Sequence, residues 1–298
     1  MNAPDSTWIR IGLSWHSNGQ SVLSGPLLRL AKRLDELFLR LASKWQAEEF
    51  HFPTFVCASK LNQVDYFRAF PHLATFPVSL EQTPENIDEF VKGKVMDESG
   101  ALLLTRTDPI KEILTPAACY PLYIHHQRSH FAAPGYFTVR NTCFRREMQY
   151  RPLVRQWAFN MREIVCMGTQ DEVSNFLHTA QEQVTQLLGA LKIPYQWQIA
   201  TDPFFRPTQN PNYIMQRVSP VKQEAVYRDD VALGSVNLHR DHFGAEFALL
   251  RDGKPMNSGC VAFGLERWLY ALIMEHGLNP EHWPDLDSLI SNPSGHSK

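Results

Sequence analysis

Two strand-like segments carry residues whose types suit nucleotide chemistry. Residues 138–147 and 157–167 are rich in apolar side chains and flank a short polar loop, which predicts an antiparallel hairpin. Strand side chains alternate faces, so Arg145 and Glu147 are expected to share one face, while Phe159 projects from the return strand. An arginine suits a phosphate, a carboxylate can accept from an exocyclic amine, and an aromatic ring can stack on a base. The alternative is a solvated hairpin face with surface ion pairs, although charges in strand interiors are costly unless they are satisfied.

The order of these residues resembles motif 2 of the class II aminoacyl-tRNA synthetases, and most of all that of the seryl enzymes. The matching letters are FRRE at residues 144–147, LVRQ at residues 153–156, and the later phenylalanine. The resemblance implies that Arg145 holds the α-phosphate of ATP, that Glu147 takes the adenine amine and that Phe159 stacks on adenine. It also implies that Arg155 lies in the loop that closes over ATP.

A second segment, SGCVAFGLERW at residues 258–268, resembles motif 3 of the same family. A strand is expected to turn at Gly264 into a helix, with Arg267 as the arginine that binds the γ-phosphate. Motif 3 commonly contains three glycines at alternate positions, and this chain keeps only the last, which puts close backbone approach at the first two in doubt. By the resemblance, Arg145 and Arg267 are the catalytic residues, since both would stabilise charge on the phosphates.

Apolar residues at helical spacing predict a long helix from about residue 24 to residue 46, with Ser24 as N-cap and Pro26 in the first turn. A short strand over residues 49–56, containing Pro53, is expected to follow. This helix and strand resemble motif 1, which forms the dimer interface of class II synthetases, and the resemblance implies a homodimer. An ordinary core helix is the alternative.

The remaining pattern completes an α+β fold. The resemblance implies the class II synthetase catalytic fold, an antiparallel sheet flanked by helices, as one domain over residues 1–298. An amphipathic helix over residues 169–192 is expected to pack beneath the sheet. Two surface insertions are expected, one charged and helix-prone at residues 81–113 and one irregular at residues 203–220. Further strands are predicted at residues 221–228, 232–237 and 245–250.

Three residues far apart in the chain are candidate metal ligands. Spacing alone does not predict a zinc site, because a lone cysteine is usually a small buried apolar residue. In the atypical seryl-tRNA synthetases of methanogens, however, two Cys and one Glu in the matching segments hold a catalytic zinc. The resemblance therefore implies one zinc ion per chain on Cys119, Glu163 and Cys260, with the fourth position open for a substrate amine. Cys143 is the rival ligand, because it lies two residues before Arg145.

Two strand segments supply weaker candidates. Lys222 and Glu224 alternate on one strand and are expected to face the amino-acid pocket, unless they form a surface ion pair. Ser235 and Asn237 share a face, which favours Ser235 as an ATP-binding residue near Mg²⁺ and Asn237 as an amino-acid-binding residue. His239, Asp241 and His242 have the residue types of a metal cluster, but on a turn they are expected to be solvated.

Composition limits the possible partners and compartment. Among 298 residues, 29 Lys and Arg against 31 Asp and Glu give a formal charge of −2, without the basic block typical of proteins that bind nucleic acid, so tRNA is not expected as a partner. The five cysteines form no CxxC pair and no secretion signal is evident, which favours a cytoplasmic protein. No apolar run approaches the ~20 residues of a membrane span.

By the resemblance the chain corresponds to a catalytic core, and no tRNA-binding domain is expected. A core of this length with the Cys, Glu, Cys set is similar to the amino acid:[carrier protein] ligases. That similarity implies ATP-dependent activation of a small amino acid, glycine or alanine, and transfer to the phosphopantetheine thiol of a carrier protein. The alternatives are a truncated seryl-tRNA synthetase-like enzyme that charges tRNA or another acceptor, and a catalytically inactive regulatory paralogue.

Overall fold

The computed structural model describes residues 6–228 and 230–291. Its α-helices are α1 Ser6–Ile11, α2 Gly25–Ala42, α3 Ala58–Gln63, α4 Tyr66–Ala69, α5 Pro84–Lys92, α6 Tyr120–His125, α7 Gln170–Ala190, α8 Pro211–Val218, α9 His242–Phe247, α10 Leu265–His276 and α11 Leu286–Ser291. Its strands are β1 Leu13–His16, β2 Gln20–Leu23, β3 Glu48–Phe50, β4 Phe55–Cys57, β5 Glu112–Leu114, β6 Gly135–Phe144, β7 Ala158–Gly168, β8 Gln196–Ile199, β9 Lys222–Tyr227, β10 Val231–Arg240, β11 Leu250–Arg251, β12 Lys254–Pro255 and β13 Asn257–Gly264. None of the described helices has both the length and the apolar character needed to cross a lipid bilayer.

Seven strands form the main sheet, in the order β3-β6-β7-β13-β10-β9-β8. All neighbours are antiparallel except β3, which runs parallel to β6 at the edge. The sheet is therefore mixed, and the predicted all-antiparallel sheet is corrected at this one edge. The α+β layout and the predicted hairpin β6–β7, next to the edge strand β3, are confirmed.

The main hydrophobic core lies between one face of the sheet and the helices α2, α7 and α10. Phe38 of α2 stacks on Phe263 of β13 with ring centroids 4.2 Å apart, and its edge meets Trp268 of α10 at 5.0 Å. A second core lies on the opposite face, where α6 and α9 pack together through stacked Tyr123 and Phe243 rings 4.1 Å apart. The predicted helices over residues 24–46 and 169–192 are both present and both contribute apolar faces to the main core.

The amphipathic helix α7 begins with a capping box. The Thr169 side chain accepts from the backbone N–H of Glu172, and the Glu172 carboxylate accepts from the backbone N–H of Thr169. Two of the free N–H groups at the helix start are thereby satisfied. The acidic first turn also suits the positive end of the helix dipole, as the sequence predicted.

Four predicted segments differ from the structure. The strand expected at residues 49–56 is two short strands in different sheets, β3 and β4, because Pro53 between them has no N–H to continue a ladder. The strand expected at residues 245–250 overlaps helix α9, in which Phe243 and Phe247 are buried at helical spacing. The irregular segment at residues 203–220 contains helix α8, and the segment at residues 81–113 is helical only in α5.

Helix α2 is attached to the sheet by a buried ion pair. The Arg162 guanidinium on β7 donates to both carboxylate oxygens of Asp35 on α2, at 2.6 and 2.9 Å, and also pairs with Glu49 at 2.9 Å. The Arg162 side chain is 3% exposed and that of Asp35 is 13% exposed. Removing one partner of such a pair leaves a charge that water cannot reach, so this contact fixes the helix against the strand that carries Glu163.

We expect Asp35→Asn to lower the free energy of unfolding by about 2 kcal/mol, because it leaves the buried Arg162 charge with Glu49 alone. Urea denaturation followed by circular dichroism measures the change. Glu36→Gln is the control, since the neighbouring Glu36 pairs with Arg33 on the exposed face of the same helix and its loss should leave the midpoint unchanged. Equal midpoints for the two variants would contradict the prediction.

Candidate active site

The register of four central strands places the predicted residues on one face of the sheet. One cross-strand row contains Lys222, Asn237 and Cys260. The next row, two positions along each strand, contains Glu224, Ser235, Ala262 and Glu163. Side chains two positions apart on a strand point to the same face, so both rows face the same space.

A cavity of 440 Å³ opens on this face of the sheet. Every residue predicted for the site lines it: Cys119, Arg145, Glu147, Arg155, Phe159, Glu163, Lys222, Glu224, Ser235, Asn237, Cys260 and Arg267. Residues from segments more than 140 positions apart in the sequence therefore meet in one cavity. Their individual roles stay predictions.

A buried group of potential metal ligands lies in the cavity. The thiol sulfurs of Cys119 and Cys260 and a carboxylate oxygen of Glu163 all lie within 4.8 Å of one another. The Glu163 Oε1 accepts from the backbone N–H groups of Ala118 and Cys119, at 2.9 and 3.3 Å. These bonds orient the carboxylate and leave its other oxygen for a ligand. Two sulfurs and one oxygen are a donor set that suits zinc in a three-ligand site.

Proximity and burial make both thiols weak acids. The hydrogen bond that Cys119 donates to Cys260 raises the pKa of the Cys119 thiol well above its ordinary value, and burial adds to this. For Cys260 the same bond lowers the pKa, but burial and the Glu163 charge outweigh it, so its pKa is also raised. A divalent cation would displace these protons, because thiolate is the form that binds metal.

The rival ligand Cys143 lies elsewhere. It is fully buried in a small apolar cluster with Ala118 and Val139, and it is outside the group of potential metal ligands found among the described residues. Its sulfur contacts the Asn141 carbonyl oxygen at 3.9 Å. Burial raises its pKa well above the ordinary value, which suits a neutral core thiol.

Arg145 and Glu147 lie beyond the strand that was predicted to carry them. Strand β6 ends at Phe144, because the backbone then leaves the ladder and the Arg146 N–H bonds to the Leu73 carbonyl oxygen. The expectation of a shared strand face was therefore wrong, although both side chains reach the cavity. The Arg145 Nε donates to the Pro116 carbonyl oxygen at 2.8 Å, and its guanidinium lies 5.2 Å from the Phe159 ring centroid.

Glu147 and Arg155 pair with each other across the loop between β6 and β7. Arg155 Nη1 lies 3.2 Å from Glu147 Oε2, and the Arg155 side chain is half exposed. Both groups are predicted to contact ATP. In this arrangement their charges satisfy one another, so a nucleotide would have to exchange this ion pair for its own contacts.

Arg267 is held at the start of α10 by two backbone carbonyls. Its Nε donates to the Val154 oxygen at 2.9 Å, and its Nη1 donates to the Ala232 oxygen at 3.0 Å. Burial, followed by the Arg145 charge, lowers the pKa of Arg267 from its usual value. Two cations in one buried cavity repel each other, and an anionic ligand such as a triphosphate would relieve that repulsion.

Lys222 forms a second charged cluster in the cavity. Its ammonium lies 3.1 Å from Asp202 Oδ1 and 3.2 Å from Glu224 Oε1. Burial acts against the charged amine, but the two carboxylates outweigh it and raise the pKa of Lys222. Lys222 and Glu224 therefore form an ion pair in which the lysine keeps its charge. This pair lies inside the cavity rather than on the outer surface.

No protein-family model matches the chain. The chain is 32% identical over 245 residues to amino acid–[acyl-carrier-protein] ligase 1 of Bradyrhizobium diazoefficiens, an alignment covering 80% of this chain and 74% of that relative. The chain belongs to the amino acid–[acyl-carrier-protein] ligase family. A second such ligase from the same organism is also 32% identical over 245 residues.

The synthetase resemblance is also present at lower similarity. A type-2 serine–tRNA ligase of Methanococcus maripaludis is 26% identical over 290 residues, covering 90% of this chain and 55% of that protein. The crystal structure of the M. kandleri SerRS in complex with tRNASec superimposes with a TM-score of 0.77 at 18% identity, covering 97% of this chain and 60% of that one. The class II synthetase fold is thereby confirmed.

Three polar residues of this ligase-family cavity were not predicted from the sequence. Asp202 pairs with Lys222, His239 lies against Cys260, and Glu266 contacts β7. Burial lowers the pKa of His239 to about 4, so it is neutral rather than a solvated turn residue. Asp202 gave no sequence signal, because a contact between distant segments places it beside Lys222. His239 follows Ser235 and Asn237 at alternate positions of β10, so the expected solvated turn was wrong at this residue. Glu266 could have been noticed, since it precedes the motif 3 arginine.

Glu266 connects the two nucleotide motifs. Both of its carboxylate oxygens accept from the Asn160 backbone N–H at 3.0 Å, and Oε1 also accepts from the Asn160 side-chain amide at 2.9 Å. Burial raises the pKa of Glu266, although these bonds act against that rise. Asn160 follows Phe159 and Glu266 precedes Arg267, so this contact fixes the distance between the predicted adenine ring contact and the predicted phosphate arginine.

The N-terminal hairpin β1–β2 supports the loop between β6 and β7. The backbone N–H of Trp157 donates to the Gly19 carbonyl oxygen at 2.8 Å, and the Tyr150 ring packs directly on Gly19. The Arg146 guanidinium lies 4.9 Å from the Trp157 ring centroid and 5.6 Å from that of Tyr150. The strands β1 and β2 gave little sequence signal, yet they form part of the frame of this loop.

We expect Gly19→Ala to displace the loop and to raise the KM for ATP about tenfold, or ~1.4 kcal/mol. Gly19 has φ +87°, and an added Cβ would lie 2.8 Å from the Tyr150 ring. Gly100→Ala is a matched control, since Gly100 has φ +84° with nothing within 4 Å of an added Cβ. Both variants pay the backbone strain of about 1 kcal/mol in stability. If both had the same KM for ATP, the hairpin would not control the loop.

Proposed function

We propose that the protein activates a small amino acid, glycine or alanine, with ATP and transfers the aminoacyl group to the phosphopantetheine thiol of a carrier protein. The observation that carries this proposal is the cavity in which the Cys119, Glu163, Cys260 cluster and the two arginines meet. Family membership at 32% identity supports carrier-protein ligation in general. The choice of glycine or alanine and the order of steps are what the motif resemblance implies, and they are part of the proposal.

The metal cluster would bind the amine of the substrate. Zinc, when held by Cys119, Glu163 and Cys260, would supply one open coordination position for the amino group and so orient the carboxyl group. Tyr120 and Phe243, whose ring centroids lie 5.7 Å apart, also line the cavity and leave limited room for a substrate side chain. Mg²⁺ would bind together with ATP near Ser235.

In the first step, a carboxylate oxygen of the amino acid attacks the α-phosphorus, and the bond to pyrophosphate breaks. Arg145 and Arg267 stabilise the charge that develops on the phosphate oxygens. In the second step, the carrier thiol loses its proton to solvent and its sulfur attacks the acyl carbon, which releases AMP. The bound geometry and the fixed cations suffice for both steps, so no protein nucleophile is required.

Amino-acid-dependent ATP–pyrophosphate exchange tests the first step, with each of the twenty amino acids supplied in turn. We expect exchange with glycine or alanine, followed by thioester formation on a phosphopantetheinylated carrier protein detected by mass spectrometry. Transfer to tRNA with none to a carrier would favour the synthetase-like alternative. Folded protein without exchange for any amino acid would favour the regulatory paralogue.

We expect metal removal to abolish exchange and one equivalent of zinc to restore it, because the substrate amine loses its ligand. Elemental analysis should find about one zinc per chain in the wild type and almost none in Cys260→Ala. Cys143→Ala is the control, since it removes a buried thiol outside the cluster and should retain its zinc. Zinc lost equally from both variants would place the site elsewhere.

The carrier protein is proposed to dock on the segment at residues 203–220. Phe205, Met215 and Val218 are exposed apolar side chains there, and Arg206 and Arg217 are exposed cations beside them. An acidic carrier surface would match this composition. Asp202, just before this segment, pairs with Lys222 in the cavity, so the docking surface would lie next to the entry for the thiol arm.

The homodimer that the motif 1 resemblance implies is also part of the proposed function.

We expect the double variant Arg206→Glu, Arg217→Glu to raise the KM for the carrier protein about tenfold while ATP–pyrophosphate exchange is unchanged, because only docking loses charge complementarity. Lys94→Glu is the control, since Lys94 is an exposed cation on the other insertion. Thioester formation with unchanged carrier KM in the double variant would exclude this docking surface.

A further inference from the structure

His239 is the extra residue of a β-bulge beside the metal cluster. Along β10, Leu238 pairs with Gly259 and Arg240 pairs with Ser258, so three residues of β10 oppose two of β13. His239 lies two positions after Asn237, so it stays on the cavity face of β10, and the bulge leaves it without an opposing residue in β13. The Cys260 sulfur lies 3.7 Å from its Nε2.

The contacts of the other ring nitrogen determine where the proton of His239 lies. The buried Tyr123 hydroxyl lies 3.0 Å from Nδ1. The Ser258 hydroxyl lies 3.4 Å from the same nitrogen, so two hydroxyl groups that can donate face Nδ1. With Nδ1 as their acceptor, the proton of the neutral ring is on Nε2 and faces the Cys260 sulfur.

Asn237 supplies a second donor to the same sulfur. Its Nδ2 lies 3.3 Å from Cys260 Sγ and 2.9 Å from Ser235 Oγ. Asn237 lies directly opposite Cys260 in the ladder, so strand register sets this contact. The Cys260 sulfur thus has two N–H donors from β10, one in register and one from the bulge.

We propose that His239 is a positioning residue of the metal centre, which donates through Nε2 to the Cys260 sulfur and, with Asn237, fixes the orientation and charge of that ligand. The inference rests on the metal site of the proposed function. His239 is not itself a ligand, because its nitrogens lie outside the set of ligand atoms found within 4.8 Å of one another. Replacing a residue that supports a metal ligand in this way commonly lowers the metal affinity by about 10–100-fold.

The test uses the full-length protein, stripped of metal and reloaded with Zn²⁺ or Co²⁺. We expect His239→Phe to lower Zn²⁺ affinity about 10–100-fold in competition with a chromophoric chelator. The thiolate-to-cobalt charge-transfer band should move to longer wavelength, because a sulfur with fewer N–H donors releases electron density more readily. Phenylalanine retains the aromatic packing against Phe243, whose ring centroid lies 5.1 Å from that of His239.

Two further variants separate this role from simple packing. His239→Gln retains an amide N–H and should recover part of the affinity and of the band position. Tyr123→Phe keeps the imidazole but removes the hydroxyl that fixes its tautomer, and it should give an intermediate band shift. Zn²⁺ affinity and a cobalt band in His239→Phe equal to those of the wild type would overturn the inference. Failure of the wild type to bind either metal would overturn the metal site itself and this role with it.

Discussion

Three acidic groups, those of Cys119, Glu163 and Cys260, lie buried within 4.8 Å of one another, and such groups are costly to ionise together in a space that excludes water. Much of the surrounding structure limits this cost. Backbone N–H groups orient Glu163, the two thiols share a hydrogen bond, and Asn237 donates to Cys260. The cluster can form because the strands β7, β13 and β10 keep their register. A slip of one residue in β7 or β13 would turn the ligand on that strand, Glu163 or Cys260, to the opposite face of the sheet.

The local sequence pattern correctly predicted those helices and strands whose own residues mark them clearly. The helices α2 and α7 have long apolar stripes and recognisable starts, and the turn from β13 into α10 is marked by Gly264. Prediction failed where a long-range contact overrides local pattern. Arg146 leaves the strand because its N–H bonds to the Leu73 carbonyl oxygen. Residues 245–247, expected to begin a strand, instead end helix α9, which packs in the second core.

The residue types of the site were easier to predict from the sequence than the contacts between them. Motif letters brought Arg145, Phe159 and Arg267 into one hypothesis, and they do line one cavity. Sequence could not show that Asp202 neutralises Lys222 or that His239 lies against the Cys260 sulfur, since both depend on contacts between distant segments. Cys143 shows the opposite error, a candidate ligand that the structure places outside the cluster. Its neighbours in sequence made it a plausible ligand, but its backbone position places the sulfur in an apolar cluster.

The ion pair between Glu147 and Arg155 gives the nucleotide loop an internal competitor for its ligand. The half-exposed Arg155 is open to counterions, and charges in water are screened over about 10 Å at 0.1 M salt. Added salt would weaken the attraction of the loop for a triphosphate, but it would also weaken the pair that must separate first. These two effects have opposite signs. The ionic-strength dependence of ATP binding should therefore be shallower than the number of cations in the cavity implies.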